Sequence, residues 1–256
     1  MKEWIYGRNP VYEVLRARRR RPFRLLIAQG VQEKGRLTEI LRLGSVRKVP
    51  VERVPRTRLD GIDQGHQGVA LEASGYPYCT LADILDLAEQ RGEPPWVLIL
   101  DVLQDPQNLG TLLRTAEAVG VHGVLLPYRH TATVTPAVVN ASSGASEHLL
   151  IAQANLAQAI TALKAAGLWV IGLDNRPEAS LPEQVRLDGP LALVVGSEGQ
   201  GIRSLVAKSC DLLLRLPMRG KVESLNAAVA GSIALYLARG ARKNQSAPAE
   251  GIDSSF

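Results

Sequence analysis

Three segments carry polar side chains where a core helix or a strand end does not need them. In DPQNLGTLLRTAEAVG (105–120), Asn108 and Arg114 sit on a run whose Leu109, Leu112, Leu113, Ala116 and Val119 have the spacing of one buried helix face. In VVGSEGQGI (194–202), Gly196 and Gly199 allow close backbone approach and positive φ around Glu198. In LPMRGKVESLNAAVAGSIAL (216–235), Ser224 is a good N-cap and puts Asn226 in the first turn of a helix. Polar groups at the carboxyl ends of parallel strands lie where such sheets bind ligands, so the three segments together mark a candidate site. Each segment alone also has an ordinary reading, as a surface charge, a glycine turn or a helix cap.

Other chemistries are absent from the pattern. There is no GxGxxG after a strand, no GxxxxGK[ST] and no GxSxG elbow, which argues against an ordinary dinucleotide site, a P-loop and an α/β-hydrolase. His66, His122, His130 and His148 have no metal-ligand spacing, and Cys79 and Cys210 form no CxxC pair, so no metal is expected.

The elements that would position these segments alternate regularly. Strand WVLILDVL precedes the Asn108 helix, and strand GVLLP precedes a helix near Thr135-Pro136. Strand LLIAQ precedes helix LAQAITALKAAG, capped by Asn155 and stopped at Gly167. Strands LWVIGLD, LALVVGSE and LLLRLPM follow, with a helix from about Ile202 to Ser209 and a last helix from Ser224. Buried strands alternating with helices predict an α/β fold with a parallel sheet covered on both faces, which binds ligands at the carboxyl ends of its strands. The front of the chain reads as a smaller α/β unit: helix NPVYEVLRA with Asn9 as N-cap and Pro10 at N1, strand FRLLIAQ, helix GRLTEILRLG ending at Gly44, strand VRKVPVERV and strand HQGVALEAS. The expected division is a front domain over 1–74, a linker over 75–95 ending at Pro94-Pro95, a main domain over 96–242 and a polar, disordered tail over 243–256.

The 256 residues contain 46% hydrophobic residues, enough for a real core. Charge is uneven. Residues 1–60 hold 16 Lys or Arg against 6 Asp or Glu, a net of +10, while the other 196 residues hold 14 against 19, a net of −5. A polyanion partner for the front segment fits that asymmetry, and so does a solvated helix end. The densest run is LRARRRRP, with Arg16, Arg18, Arg19, Arg20 and Arg21. No apolar run of about 18 residues and no signal-peptide pattern occurs, so a cytoplasmic location without membrane insertion is expected.

Taken together, NLGTLLRTAEAVGV, LVVGSEGQGI and LPMRGKVESLNAAVAGSIALY resemble the signatures of the SpoU (TrmH-type) RNA 2′-O-ribose methyltransferases of the SPOUT superfamily. TPAVVNASSGASEH matches the family's ASxGA segment. IYGRNPVYEVLRA and HQGVAL resemble an L30e-like substrate-binding domain, carried by the subgroup that modifies 23S rRNA, within which the resemblance is strongest to enzymes that methylate a guanosine in the peptidyl-transferase P loop. The resemblance implies a deep trefoil knot in the C-terminal part of the sheet, a homodimer, and S-adenosylmethionine as methyl donor. It implies catalytic or orienting roles for Arg114, Asn108, Glu198, Ser224 and Asn226, and cofactor contact at Gly196, Leu216 and Leu225. His66 and Gln67, with Arg16 to Arg21, are the expected RNA contacts, on 23S rRNA or an assembling large subunit. Two other readings stay open: a tRNA or different rRNA site, and an rRNA-binding assembly factor without catalysis.

Overall fold

The computed structural model describes residues 2–197 and 199–246. Its front unit holds β1 (Lys2–Tyr6), α1 (Arg8–Ala17), β2 (Pro22–Ala28), α2 (Arg36–Val46), β3 (Val51–Val54), α3 (Arg56–Asp60) and β4 (Val69–Ser74). The four strands form one sheet in the order β1-β4-β2-β3. β4 is antiparallel to β1 and β2, and β2 is parallel to β3.

Several boundaries differ from the sequence reading. α1 starts at Arg8 with Gly7 as N-cap, because Gly7 at φ 87° turns the chain out of β1 and the Gln67 side chain accepts from the Arg8 amide. α2 runs past Gly44 to Val46, since Gly44 is buried there against Leu25. The linker stretch agrees with its sequence, since the middle of YPYCTLADILDLAEQRGEPP reads as helical and forms α4 (Leu81–Arg91), opened by a reciprocal Thr80–Asp83 capping box. α4 drives Ile84 against Gly123, where a Cβ would lie 2.5 Å from Ile84 Cγ1.

The main sheet contains β5 (Trp96–Leu100), β6 (Gly123–Pro127), β7 (Leu150–Ala154), β8 (Trp169–Leu173), β9 (Leu191–Val195) and β10 (Leu212–Leu214), in the order β10-β8-β9-β5-β6-β7. Every pairing is parallel. The helices are α5 (Pro106–Val119), α6 (Pro136–Ala141), α7 (Leu156–Ala165), α8 (Ser204–Ser209) and α9 (Ala227–Ser246), with a 3-10 turn at Ala145–His148. β5, β6 and β9 are buried at every position, as strands covered on both faces must be. Alternation sorts β5 between two cores. Trp96, Leu98 and Leu100 pack in the core that holds buried residues of α5 and α9, while Val97 and Ile99 pack with Ile84 of α4 and apolar residues of α7 and α8. The first of these cores is continuous with that of the front unit.

Polar contacts reinforce this junction. Arg20 and Glu147 are both fully buried and paired at 3.0 Å, and Arg20 also reaches Glu3 at 2.7 Å and the Ser74 carbonyl. Burial raises the Glu147 carboxyl above its usual range even beside the Arg20 guanidinium. Arg19 donates to the Tyr76 hydroxyl and to the carbonyls of Leu149 and Pro77. The arginine run therefore divides. Arg18 takes a left-handed conformation at the end of α1 and the next two side chains turn inward, so Arg20 is withdrawn from any polyanion and Arg19 is engaged. Arg16, Arg18 and Arg21 remain exposed. The tail expected from residue 243 overlaps α9, which extends to Ser246; residues 247–256 lie outside the described residues. No described helix is long and apolar enough to cross a membrane.

Candidate active site

Each functional segment leaves the carboxyl end of a parallel strand, near the switch in strand order between β5 and β9. After β5 the chain turns at Asp101, and Val102 takes φ 60°, a costly conformation for a β-branched residue. The carboxylate of Asp101 is buried. It accepts from the Arg203 amide and Nε, both at 2.8 Å, and from Nη2 at 2.6 Å. This links the loop after β5 to the glycine-rich loop after β9. α5 then opens with Asp105 as N-cap, accepting from the Gln107 amide, and Pro106 at N1.

Asn108 lies in the first turn of α5 and is nearly buried. Its Oδ1 accepts from Asn226 Nδ2 at 3.1 Å. Asn226 Oδ1 in turn accepts from the amides of Ala228 and Val229, and its carbonyl accepts the Ala230 amide. Asn226, not Ser224, is thus the N-cap of α9. The amide oxygen caps the helix while the amide nitrogen is left to donate to Asn108. Ser224 instead lines a cavity. Asn108 and Asn226 hold the first and third segments together.

Arg114 is six residues beyond Asn108, about one and two-thirds turns, so the two side chains leave α5 in different directions. Arg114 is exposed, and its Nη1 donates to Ser143 Oγ at 3.2 Å. Ser143 has φ 53° and follows α6 in the ASSGA segment. The next residue, Gly144 (φ 87°), meets α1 of the front unit: a Cβ there would lie 2.6 Å from Glu13 Cβ. Arg114 therefore rests on the segment that carries the junction between the two units.

A cavity of about 410 Å³ opens at the ends of β8, β9 and β10. Gly196, Leu216 and Leu225 all line it, with Leu173 and Leu214 adding apolar wall and Asp174, Asn175, Glu223 and Ser224 adding polar groups. Asn175 Nδ2 donates to the Glu223 carbonyl at 3.3 Å, which ties two rims together. Only glycine fits at 196, since a Cβ would lie 2.1 Å from the Gly201 carbonyl carbon. Glu198 lies outside the described residues.

The expected RNA contacts fare unevenly. His66 is fully buried, its Nδ1 accepting from the Gly68 amide at 2.8 Å and its Nε2 facing Asp60 at 3.0 Å, so it splints a turn and does not face RNA. Gln67 is exposed at φ 52°. Sequence reasoning passed over Ser143, the Asp101–Arg203 link, Asp174 and Asn175. Asp101 and Asp174 directly follow strands, where the rule of ligands at strand ends points, and Ser143 sits inside the ASSGA segment already singled out. Among the described residues, no group of three or more His, Cys, Asp or Glu is arranged to hold a metal ion.

Residues 4–79 match the model for RNA 2′-O ribose methyltransferase substrate binding, and residues 95–236 match the SpoU rRNA Methylase family. The chain is 42% identical over 239 residues to a protein of Bacillus subtilis named as a TrmH family tRNA/rRNA methyltransferase, covering 91% of this chain and 94% of the relative. Among solved structures it resembles the SpoU methyltransferase AviRb from Streptomyces viridochromogenes in complex with AdoMet, with a TM-score of 0.78, 23% identity and coverage of 95% and 91% of the two chains. It also resembles an AdoMet-bound rRNA methyltransferase from Sinorhizobium meliloti, with a TM-score of 0.77, 25% identity and coverage of 93% and 87%. On the match over 95–236 and the identity along nearly the whole sequence, this chain belongs to the SpoU rRNA methylase family.

Proposed function

We propose that this protein transfers a methyl group to a ribose 2′-hydroxyl of 23S rRNA, at a guanosine of the peptidyl-transferase P loop. The observation that carries the reading is the convergence of the strand-end segments. Asn226 joins the third segment to Asn108 in the first, directly beside the cavity that Gly196, Leu216 and Leu225 line. That cavity fits S-adenosylmethionine in kind. Its volume lies in the range of small-molecule sites, its leucines suit an adenine ring, and Asp174, Asn175 and Glu223 suit ribose hydroxyls and an ammonium group. S-adenosylmethionine supplies a methyl group already activated on a sulfonium.

The residues of the chain must then place the hydroxyl and help it lose its proton. Positioning alone is worth up to about 7–11 kcal/mol in favourable cases. A guanidinium is a poor proton acceptor near neutrality, so Arg114 works as a clamp. It holds a phosphate or the ribose oxygen and stabilises the negative charge that develops there, and a phosphate so held can relay the proton. Ser143 fixes one guanidinium nitrogen and leaves the rest of the fork for RNA. Asn108 and Asn226 keep α5 and α9 in register, with Glu198 and Ser224 completing the site.

The same reading includes a trefoil knot, a cytoplasmic setting and a homodimer. The knot rests on membership of the SpoU family, and the loops 196–201 and 215–226, which meet across one cavity, are where it would lie. The dimer is supported by α9, where Val229, Ile233, Tyr236 and Leu237 form an exposed apolar stripe at helical spacing. A second copy would cover it.

The test is methyl transfer from labelled S-adenosylmethionine to separated rRNA and tRNA, with Arg114→Ala alongside. Label in large-subunit rRNA that the variant loses supports the reading. Label in tRNA overturns the substrate, and no label in any RNA or immature ribosomal particle favours the assembly-factor reading.

A further inference from the structure

The front unit contains a second cavity, of about 540 Å³, remote in chain position from the methyl-transfer segments. Arg8, Gln29, Val31, Arg56, Gln67 and Gly68 line it. Its floor is backbone. Gly68 has φ +83°, and a Cβ there would lie 3.0 Å from Val31 Cγ2, so the chain comes as close as glycine permits. Its rim is rigid. His66 pins the turn from beneath, while the Gln67 side chain accepts the Arg8 amide at 3.0 Å and its carbonyl accepts Arg8 Nε at 3.3 Å. No acidic side chain lines the cavity. Acids in nearby turns are engaged elsewhere, Glu33 with Arg53 and Asp60 with His66. Neither Arg8 nor Arg56 has an ion pair among the described residues.

Two guanidiniums without carboxylates and two amide side chains favour a ligand that is anionic, planar and rich in hydrogen-bonding edges. A nucleotide has all three properties. It must be unpaired, because pairing occupies the base edge and stacking hides the face that an arginine plane would cover. The volume is that of a small-molecule site and too small for a duplex segment.

Position gives the cavity a purpose. Gly7, next to Arg8, abuts Asn140, whose Nδ2 donates to the Tyr6 carbonyl at 3.4 Å. The Asn140 carbonyl accepts the Ser143 amide at 2.8 Å, and Ser143 Oγ accepts from Arg114. A short chain of fixed contacts thus joins the cavity rim to Arg114. We propose that this cavity receives one unpaired nucleotide of the RNA substrate, with its phosphate on Arg8 and Arg56 and its base edge on the Gln29 and Gln67 side chains, over the close-approach floor at Gly68. Held there, the RNA strand presents a ribose at a set distance to Arg114, so the cavity selects the site of methylation. The inference rests on the RNA methyltransferase reading above.

The test uses the full chain and needs no methyl transfer. Binding of a short single-stranded RNA and of the same RNA in a duplex is measured for the wild type, Arg56→Glu, Gln29→Glu and Arg42→Glu. Arg42 is exposed on α2, outside the cavity, and controls for charge. Arg56→Glu and Gln29→Glu should each weaken single-strand binding about tenfold, with unchanged thermal melting, while Arg42→Glu changes it less than about twofold. Duplex should compete poorly. Equal losses at Arg42 and Arg56, or equal competition by duplex, would reduce the effect to diffuse electrostatics and overturn the proposal. So would tight binding of a free nucleoside monophosphate that RNA does not displace. The two readings fail separately: RNA binding that depends on Arg56 without methyl transfer sinks only the enzymatic reading, and methyl transfer with an unchanged RNA KM in Arg56→Glu sinks only this one.

Discussion

Replacing Arg20 with Met should uncouple the front unit from the site. The substitution leaves the Glu147 carboxylate fully buried without its cation, and Glu3, which is partly exposed, rehydrates. Breaking a buried pair by removing one partner costs about 3–5 kcal/mol. The lost bond to the Ser74 carbonyl adds about 1 kcal/mol. The pH dependence has a definite sign. Burial already holds the Glu147 carboxyl above its usual range, and removing Arg20 raises it further. A raised carboxyl binds its proton more tightly when folded, so stability falls as pH rises through its titration. The deficit of the variant should therefore grow with pH, at up to about 1.4 kcal/mol per unit, until Glu147 ionises in the folded variant too. The assay is urea unfolding at about pH 5.5 and about pH 8, followed by tryptophan fluorescence. The double variant Arg20→Met, Glu147→Leu should recover most of the loss, since an apolar pair of similar volume often matches a buried ion pair. Arg20 Nη2 also lacks a hydrogen-bond partner among the described residues, which favours the swap. A single-variant loss below about 1 kcal/mol at both pH values, or a double variant no better than the single, would show that Arg20 does not compensate a buried Glu147 charge.

Other consequences follow from the same geometry. Gly196→Ala places a Cβ 2.1 Å from the Gly201 backbone, so it should lower S-adenosylmethionine affinity at least about tenfold by calorimetry and cost about 1–3 kcal/mol of stability. Asn226→Ala should cost about 1 kcal/mol from the lost cap of α9 and about 1 kcal/mol more from the lost bond to Asn108; Asn226→Asp, whose carboxylate accepts the same two amides but cannot donate to Asn108, should recover only the share of the cap, and equal melting of the two variants would count against the cap. Burial lowers the titration of His122 below its ordinary value, so its stabilising contribution is complete above about pH 6.5 and is lost as pH falls from there through the folded value. Stability measured against pH should show that slope, and His122→Asn should remove it.

Much of the architecture was legible because parallel strands buried on both faces must be apolar throughout. WVLIL, GVLLP and LALVV carry that signal without ambiguity. β1 and α3 escaped because KEWIY mixes charge with apolar residues and RTRLD is one short turn, so tertiary pairing with β4 and the buried Leu59 decide them. Gly44 misled because a glycine inside a helix and a glycine that ends one look alike until its neighbour Leu25 is known. The site segments were legible as a set, but the partners within it were not. Nothing in the spacing of 108 and 226, or of 114 and 143, predicts that these residues meet, since parallel-sheet crossovers bring them together over long sequence separations. The arginine run was read as one surface, whereas a single left-handed residue, Arg18, divides it between solvent and interior.

In the proposed reaction Arg114 promotes methyl transfer to a ribose hydroxyl. Alkaline digestion of RNA labelled from S-adenosylmethionine tests it most directly, because a methylated 2′-oxygen cannot attack its neighbouring phosphate and the linkage survives. Label is expected in an alkali-resistant dinucleotide containing guanosine for the wild type, and none for Arg114→Ala. Label recovered in mononucleotides would mean a methylated base, and undiminished transfer by Arg114→Ala would remove the arginine from the chemistry; either result would contradict the account.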